Sequence, residues 1–341
     1  MGRKGGKLRV GVLGVGRIGK IHTENLVARV PGAELAILAD VFPEELKTVA
    51  ARRGVSRTAS DYKDVINLSD IDAVVICTPT NTHFQIILDA AAAGKHIFCE
   101  KPIELSIDKI KTINQTVEKC GVQLMVGFNR RFDPNFSKLR EMIEAGRIGQ
   151  AQVLRITSRD PGPPPENYLR ASGGIFLDMT IHDFDMARSL MASDIKEVYA
   201  KADVLVDPVF KKVHDWDTAV VTLTFDNGAL GTIDNSRKAV YGYDQRVEVF
   251  GSAGMVAVKN KTPDDHVCLD RAGAHSSLPL HFFLERYAES YLNEMVAFVD
   301  AVKDGKPVPV TGKDGLMSVA IGLAATKSVK ENRPVQVAEA L

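Results

Sequence analysis

The chain has 341 residues, enough for about two domains rather than one core. Hydrophobic residues make up 45% and charged residues 25%, a globular balance, and 43 Lys and Arg offset 43 Asp and Glu. A net charge of zero gives no electrostatic pull toward nucleic acid or acidic lipid, and no apolar run reaches the roughly 20 residues that span a bilayer.

Met1 to Lys7 is basic and glycine-rich without an apolar core, so no export signal is expected. Leu8 to Leu13 then reads as a short buried strand that runs into Gly14-Val15-Gly16-Arg17-Ile18-Gly19 and a helical pattern through Val27. This is a GxGxxG in its required context. Gly14 permits the tight turn, Gly16 lets a pyrophosphate approach the backbone, and Gly19 lets the helix pack closely on the strand. Phosphates would sit on the N–H groups at the positive end of that helix, beside Arg17 and Ile18. A second strand, Leu35 to Ala39, ends at Asp40, 21 residues after Gly19. An acid there suits the adenosine ribose hydroxyls and repels a 2′-phosphate. No arginine follows closely, so NAD is favoured over NADP. Asp40 also fits as a cap for a helix beginning at Pro43.

Strand and helix patterns keep alternating. Ile71 to Cys77 is a strand ending in Thr78-Pro79-Thr80-Asn81-Thr82-His83, followed by an alanine-rich helix, Phe84 to Ala93, stopped by Gly94. His96 to Cys99 is the next strand and leads into Glu100-Lys101-Pro102. A helix from Ser106 to about Lys119 and a strand from Leu124 to Val126 follow. Such alternation means a doubly wound parallel sheet, whose ligands bind beyond the carboxyl ends of the strands. Gly14, Asp40, Thr78, Pro79, Asn81, His83, Glu100 and Lys101 all fall at such ends. A lone Lys-Pro is usually an exposed loop lysine; here its setting argues for a role over a crevice. Cys77, Cys99, Cys120 and Cys268 form no CxxC pair and read as buried, reduced thiols rather than disulfides or a zinc site.

The pattern changes after Gly127. Asn129-Arg130-Arg131-Phe132-Asp133 leads to a helix, Asn135 to Glu144, and then to a strand, Ala151 to Ser158. Asp160-Pro161-Gly162-Pro163-Pro164-Pro165 reads as a rigid loop. Asp178 to Met191 reads as one helix, which would put Asp178 and His182 on one face a turn apart. They fit a shared ligand, and they fit equally a helix cap and a satisfied core histidine; no third ligand makes a metal site. Strands follow at Glu197 to Val206, Ala219 to Phe225, Ala229 to Ser236, Gln245 to Phe250 and Met255 to Val258. An Asp226-Asn227-Gly228 turn lies among them, which predicts an open, mostly antiparallel sheet. Phe282 to Val302 reads as a long amphipathic helix ended by Gly305.

These motifs resemble a known family, that of glucose-fructose oxidoreductase, inositol dehydrogenase and rhizopine catabolism proteins (Gfo/Idh/MocA). The resemblance covers nearly the whole chain. It rests on Gly14-x-Gly16-x-x-Gly19, Thr78-Pro79-x-x-x-His83, Glu100-Lys101-Pro102 and Gly127-Phe128-Asn129-Arg130-Arg131-Phe132. It rests also on Gly173-Gly174-Ile175-Phe176-Leu177-Asp178-x-x-x-His182-Asp183 and on Tyr241-Gly242-Tyr243-Asp244. It implies an N-terminal Rossmann domain, residues 1–127, and a C-terminal α+β domain, residues 128–341, whose last helical segment is expected to pack back on the first. It also implies a cytoplasmic homo-oligomer, a tetramer before a dimer, built through the open sheet. The implied activity is NAD-dependent oxidation of a ring secondary alcohol of a cyclitol, with myo-inositol as the expected substrate and no metal. Lys101, Asp178 and His182 would be catalytic, and Thr78 to His83 would lie near the nicotinamide. Arg131 and Tyr241 would touch the polyol, with Asn129 and Asp160 as further partners for its hydroxyls. Competing readings are a dehydrogenase of another sugar or polyol, such as scyllo- or chiro-inositol or a hexose, and an NAD-binding regulator without turnover.

Overall fold

A computed structural model describes residues 6–341, so most of the stretch read for an export signal lies outside the described residues. The chain divides into two compact units: the first runs up to Phe132 and takes in Ser290–Met317, and the second comprises Asp133–Glu289 and Ser318–Leu341.

In the first unit, apolar runs too short for helices become buried strands. They are β1 (Leu8–Leu13), β2 (Ala33–Ala39), β3 (Thr58–Ala59), β4 (Ala73–Ile76), β5 (His96–Glu100) and β6 (Leu124–Gly127). They pair in parallel in the order β3-β2-β1-β4-β5-β6. The order reverses direction between β1 and β4, which opens a ligand crevice at their carboxyl ends. Val10, Val12 and Val74 to Ile76 are fully buried, as strands covered on both faces must be. Crossover helices span Arg17–Ala28, Pro43–Arg53, Tyr62–Ile66, Thr80–Ala92 and Ile107–Cys120. The second has Pro43 in its first turn with Glu44 and Glu45, and ends in Arg52, Arg53 and a left-handed Gly54, all matched to the helix dipole. The edge strand β3 and the five-residue helix after it were not legible in the sequence. The helix expected from Phe84 starts earlier, at Thr80, so Thr80 to Thr82 form its first turn rather than a loop.

In the second unit the helix Pro134–Glu144 is capped by Asp133, whose Oδ1 accepts from the N–H of Asn135 and Phe136. Strands β7 (Ala151–Arg159), β8 (Ile195–Asp203), β9 (Thr218–Phe225), β10 (Leu230–Ser236), β11 (Asp244–Gly251) and β12 (Gly254–Val258) follow. A small hairpin, β13 (Val267–Asp270) and β14 (Gly273–Ser276), stands apart, and β15 (Val335–Gln336) closes one edge. The main sheet runs β12-β11-β7-β10-β9-β8-β15 and is antiparallel except between β7 and β10. Leu154, Ile156, Val221, Leu223, Ile233 and Val249 form its buried face, against which the helix Ile181–Met191 packs.

Three expectations need correction. The single helix from Asp178 to Met191 is two, Ile175–Asp178 and Ile181–Met191. Between them Thr180 N–H reaches back to Ile175 O and His182 N–H to Met179 O, so the regular i,i+4 ladder is interrupted. The helix expected from Phe282 is likewise split at Tyr287 into Phe283–Arg286 and Ala288–Asp304. Of the cysteines, Cys99 is buried and Cys77 half-buried, but Cys120 and Cys268 are exposed.

Candidate active site

The glycine loop follows from steric necessity. Gly14 has φ +90°, and a Cβ there would lie 2.8 Å from the Cys77 carbonyl at the end of β4. A Cβ on Gly19 would lie 1.9 Å from Gly14 O, so helix and loop touch backbone to backbone. Gly16 differs: nothing lies within 4 Å of the place a Cβ would take. The first N–H to bond back inside the helix is that of Lys20, to Gly16 O, and by helix geometry those of Arg17, Ile18 and Gly19 point out of its N-terminus. An open cradle over Gly16 at a helix N-terminus fits a pyrophosphate. Asp40 stands at the end of β2. Its Oδ2 accepts from Val15 N–H at 2.7 Å, inside the glycine loop, and its Oδ1 from Phe42 N–H at 2.9 Å. The acid thus sits beside the loop and also turns the chain into the next helix. The residues present fit NAD.

Beyond β4, Thr78 Oγ1 lies 2.7 Å from Thr82 Oγ1, which donates to Pro79 O. Pro79 caps the helix, and Asn81 lies exposed in its first turn. His83 must be corrected as a cofactor ligand. It is 1% exposed, with Nε2 2.8 Å from Thr78 O and Nδ1 3.0 Å from Pro102 O. Burial lowers its pKa against the pull of those carbonyls. The ring straps the loop after β4 to the turn after Lys101. Lys101 itself, half-buried, leaves β5 through a cis peptide to Pro102. Glu100, half-buried, places one carboxylate oxygen 2.7 Å from His22 Nε2. Asn129 is 2% exposed and donates to Ser290 Oγ at 3.1 Å, which makes it a structural amide rather than a polyol ligand. Arg131 is anchored by Asp314 at 2.9 Å.

In the second unit, Asp160 and Asp178 are brought together by a residue that sequence reasoning missed. Arg237 donates from Nη1 to Asp160 at 3.1 Å and from Nη2 to Asp178 at 2.8 Å. Tyr168, also missed, donates its phenol to the other Asp178 oxygen at 2.7 Å, and burial beside that carboxylate raises the phenol's pKa strongly. His182, half-buried, is the second residue of the helix Ile181–Met191. That helix start is bolted to β10: Asn235 donates to Asp183 at 2.8 Å and accepts from Thr180 Oγ1 at 2.7 Å. Tyr241 belongs to a separate polar group, donating to Asp244 at 2.7 Å and accepting from Arg159 at 3.1 Å. Tyr168 and Arg237 left no signal because neither lies in a motif; only the fold shows that they share an aspartate.

Among the described residues one group, His22, Glu100 and Glu294 in the first unit, has the donor spacing of a metal site. His22 and Glu100 already bond each other directly, and Glu294, fully buried beside Glu100, has its pKa pushed well up.

Comparison with known proteins extends these observations. Residues 8–128 match the model of an oxidoreductase family with an NAD-binding Rossmann fold, and residues 136–257 match the GFO/IDH/MocA C-terminal domain. A myo-inositol 2-dehydrogenase from Thermotoga maritima is 49% identical, over 98% of this chain and 100% of its own length. An inositol 2-dehydrogenase from Rhizobium meliloti is 45% identical, over 97% and 99%. The crystal structure of a scyllo-inositol dehydrogenase from Lactobacillus casei, with bound NAD(H) and scyllo-inositol, superposes with a TM-score of 0.91 at 31% identity, over 97% and 99%. A full-length match of this strength, on a Rossmann sheet followed by a mostly antiparallel one, places the chain in the GFO/IDH/MocA family of NAD-dependent oxidoreductases.

Proposed function

We propose that this protein oxidises myo-inositol to 2-keto-myo-inositol with NAD. The observation that carries the reading is the 49% identity, end to end, with the Thermotoga maritima myo-inositol 2-dehydrogenase. The chain also keeps a lysine at the exit of β5 and an Asp-x-x-x-His at the helix junction. When bound, NAD supplies the nicotinamide that accepts the hydride. Gly14, Gly16, Gly19 and Asp40 would hold it, with Thr78, Pro79 and Asn81 at its nicotinamide end. His182 takes the hydroxyl proton, as suits an imidazole, whose ordinary pKa of about 6.5 lies near neutrality. Lys101 donates a hydrogen bond to the same oxygen and stabilises the charge that develops there. Asp178 orients the pair. Arg131, Asp160 and Tyr241 serve the remaining hydroxyls, and Asn129 drops out because its amide is buried.

The protein is further proposed to work as a cytoplasmic homotetramer built through the sheet of the second unit. Val220, Leu230, Phe250 and Met255 line the face away from the core, each about half exposed. Among the described residues no helix is long and apolar enough to cross a membrane.

A second reading, scyllo-inositol as substrate, is favoured by the Lactobacillus casei structure that holds it. Initial rates of NADH formation on myo-, scyllo- and D-chiro-inositol, glucose and xylose, each with NAD and with NADP, decide between them. Fast turnover of myo-inositol with NAD supports the proposal. Turnover of scyllo-inositol or a hexose alone rejects the substrate, and NAD binding without turnover of any polyol rejects the enzyme.

A further inference from the structure

Arg237 follows β10 directly and is 3% exposed. Its guanidinium spans two carboxylates at once, Asp160 through Nη1 and Asp178 through Nη2. A planar fork does this; the point charge of a lysine does not. Asp215, whose Oδ1 accepts from Ile175 N–H at 3.0 Å, lies within the electrostatic field of both Arg237 and Asp178. One fixed cation therefore bridges two carboxylates. Tyr168 completes the setting by donating to the second oxygen of Asp178. Asp178 is 8% exposed, so its charge depends on these neighbours rather than on water.

We infer that Arg237 is a positioning residue of the reaction: it holds Asp178 ionised and in one orientation, with Tyr168 as the second tether, so that proton transfer has a fixed anionic partner. The inference rests on the reading of Asp178 as a working carboxylate given above. It adds two residues, one of them buried, to the groups on which turnover depends.

The experiment compares Arg237→Gln, Arg237→Lys, Tyr168→Phe and Asp178→Asn with the unmodified enzyme. It measures kcat and both KM values between pH 6 and 10, with thermal melts as a check on folding, on the polyol that the panel turns over fastest. R237Q is expected to lower kcat about ten- to a hundredfold, the loss of a charged hydrogen bond. KM for NAD should stay within about twofold, since no cofactor contact changes. The acid limb of kcat should move to higher pH, because Asp178, left beside Asp160, Asp215 and Tyr168 without its cation, takes up a proton more readily. R237K should recover part of both effects. Y168F, a change at a half-exposed ring, should cost a few-fold in kcat with a smaller shift of the same limb, and it remains decisive if R237Q does not fold.

A folded R237Q with unaltered kcat and pH limb, or a Y168F with an unaltered profile, overturns the inference. So does an R237K no better than R237Q, which would leave the charge without a role. If D178N keeps full kcat, the underlying reading of Asp178 fails instead. If D178N is inactive while R237Q and Y168F behave normally, the positioning role alone fails.

Discussion

Gly16→Ala separates cofactor binding from folding. A Cβ at Gly16 meets nothing within 4 Å, and the residue has φ −63° and ψ −165°, which alanine adopts without strain. Alanine caps a helix less well than glycine, but it also loses less chain entropy on folding. The two effects nearly cancel, leaving stability changed by under about 1 kcal/mol and Tm by under about 4 °C. The methyl group instead occupies the cradle proposed for the pyrophosphate. Losing one charge-assisted hydrogen bond there costs about 1.5–3 kcal/mol, which raises the Kd for NAD about ten- to a hundredfold. Gly19→Ala is the counterpart. Its Cβ would lie 1.9 Å from Gly14 O, an overlap that neither backbone relieves cheaply. About 3 kcal/mol of stability should be lost, with a fall in Tm of about 6–12 °C. Differential scanning fluorimetry of the apo-protein and calorimetric titration with NAD read both quantities. If G16A binds NAD as tightly as the unmodified protein, the open space over Gly16 is not where the phosphates sit, and the argument from the cradle is wrong.

Asp40→Ser combined with Val41→Arg, at a side chain 74% exposed, should raise kcat/KM with NADP by about tenfold or more. Steady-state rates with NADP check this, and no gain would remove Asp40 from the ribose. Lys101→Ala should lose most of kcat while the Kd for NAD barely moves, and His182→Ala should lose most of kcat at neutral pH, where the imidazole serves as base. Turnover and pH dependence close to normal in either variant would place the chemistry elsewhere. Glu294→Gln tests the buried acid. Its pKa is raised in the fold by burial and by Glu100, so above the ordinary carboxylate value the folded protein holds a proton that the unfolded chain has released. Stability is therefore lost as pH rises. E294Q should melt higher than the unmodified protein at pH 8 and equally at pH 4; the reverse trend in melts across pH would show that the carboxylate is stabilised rather than penalised.

The first unit was readable because its strands are continuous apolar runs and its helices end at Gly54, Gly94 and Gly121, where backbone chemistry acts locally. What escaped is what pattern cannot encode. Thr58–Ala59 has too few residues to show a period. The break at Met179–Thr180 depends on Asn235, 55 residues away, holding the Thr180 hydroxyl. His83 sits in a motif that pointed to the cofactor, yet its ring faces two carbonyls inside the unit. A motif marks where a residue lies along the chain, and only packing decides which way it faces. Arg237 and Tyr168 lie in no motif at all, and their role follows from a shared aspartate.

The two ends of the proposed nucleotide site are mounted differently. Asp40 is fastened to two backbone N–H groups, of Val15 and Phe42, on its own side of the sheet. The loop after β4 and the turn after Lys101 are joined by the His83 ring, which holds Thr78 O and Pro102 O at once. A change at Asp40 therefore reaches Phe42 and, through Val15, the glycine loop, whereas any displacement of Thr78 is passed on to the peptide that follows Lys101. With Asp40 at the ribose as proposed, choice of dinucleotide would be adjusted without touching the His83 strap. The bottom of the nicotinamide end and the lysine form one component, and redesign of either must carry the other with it.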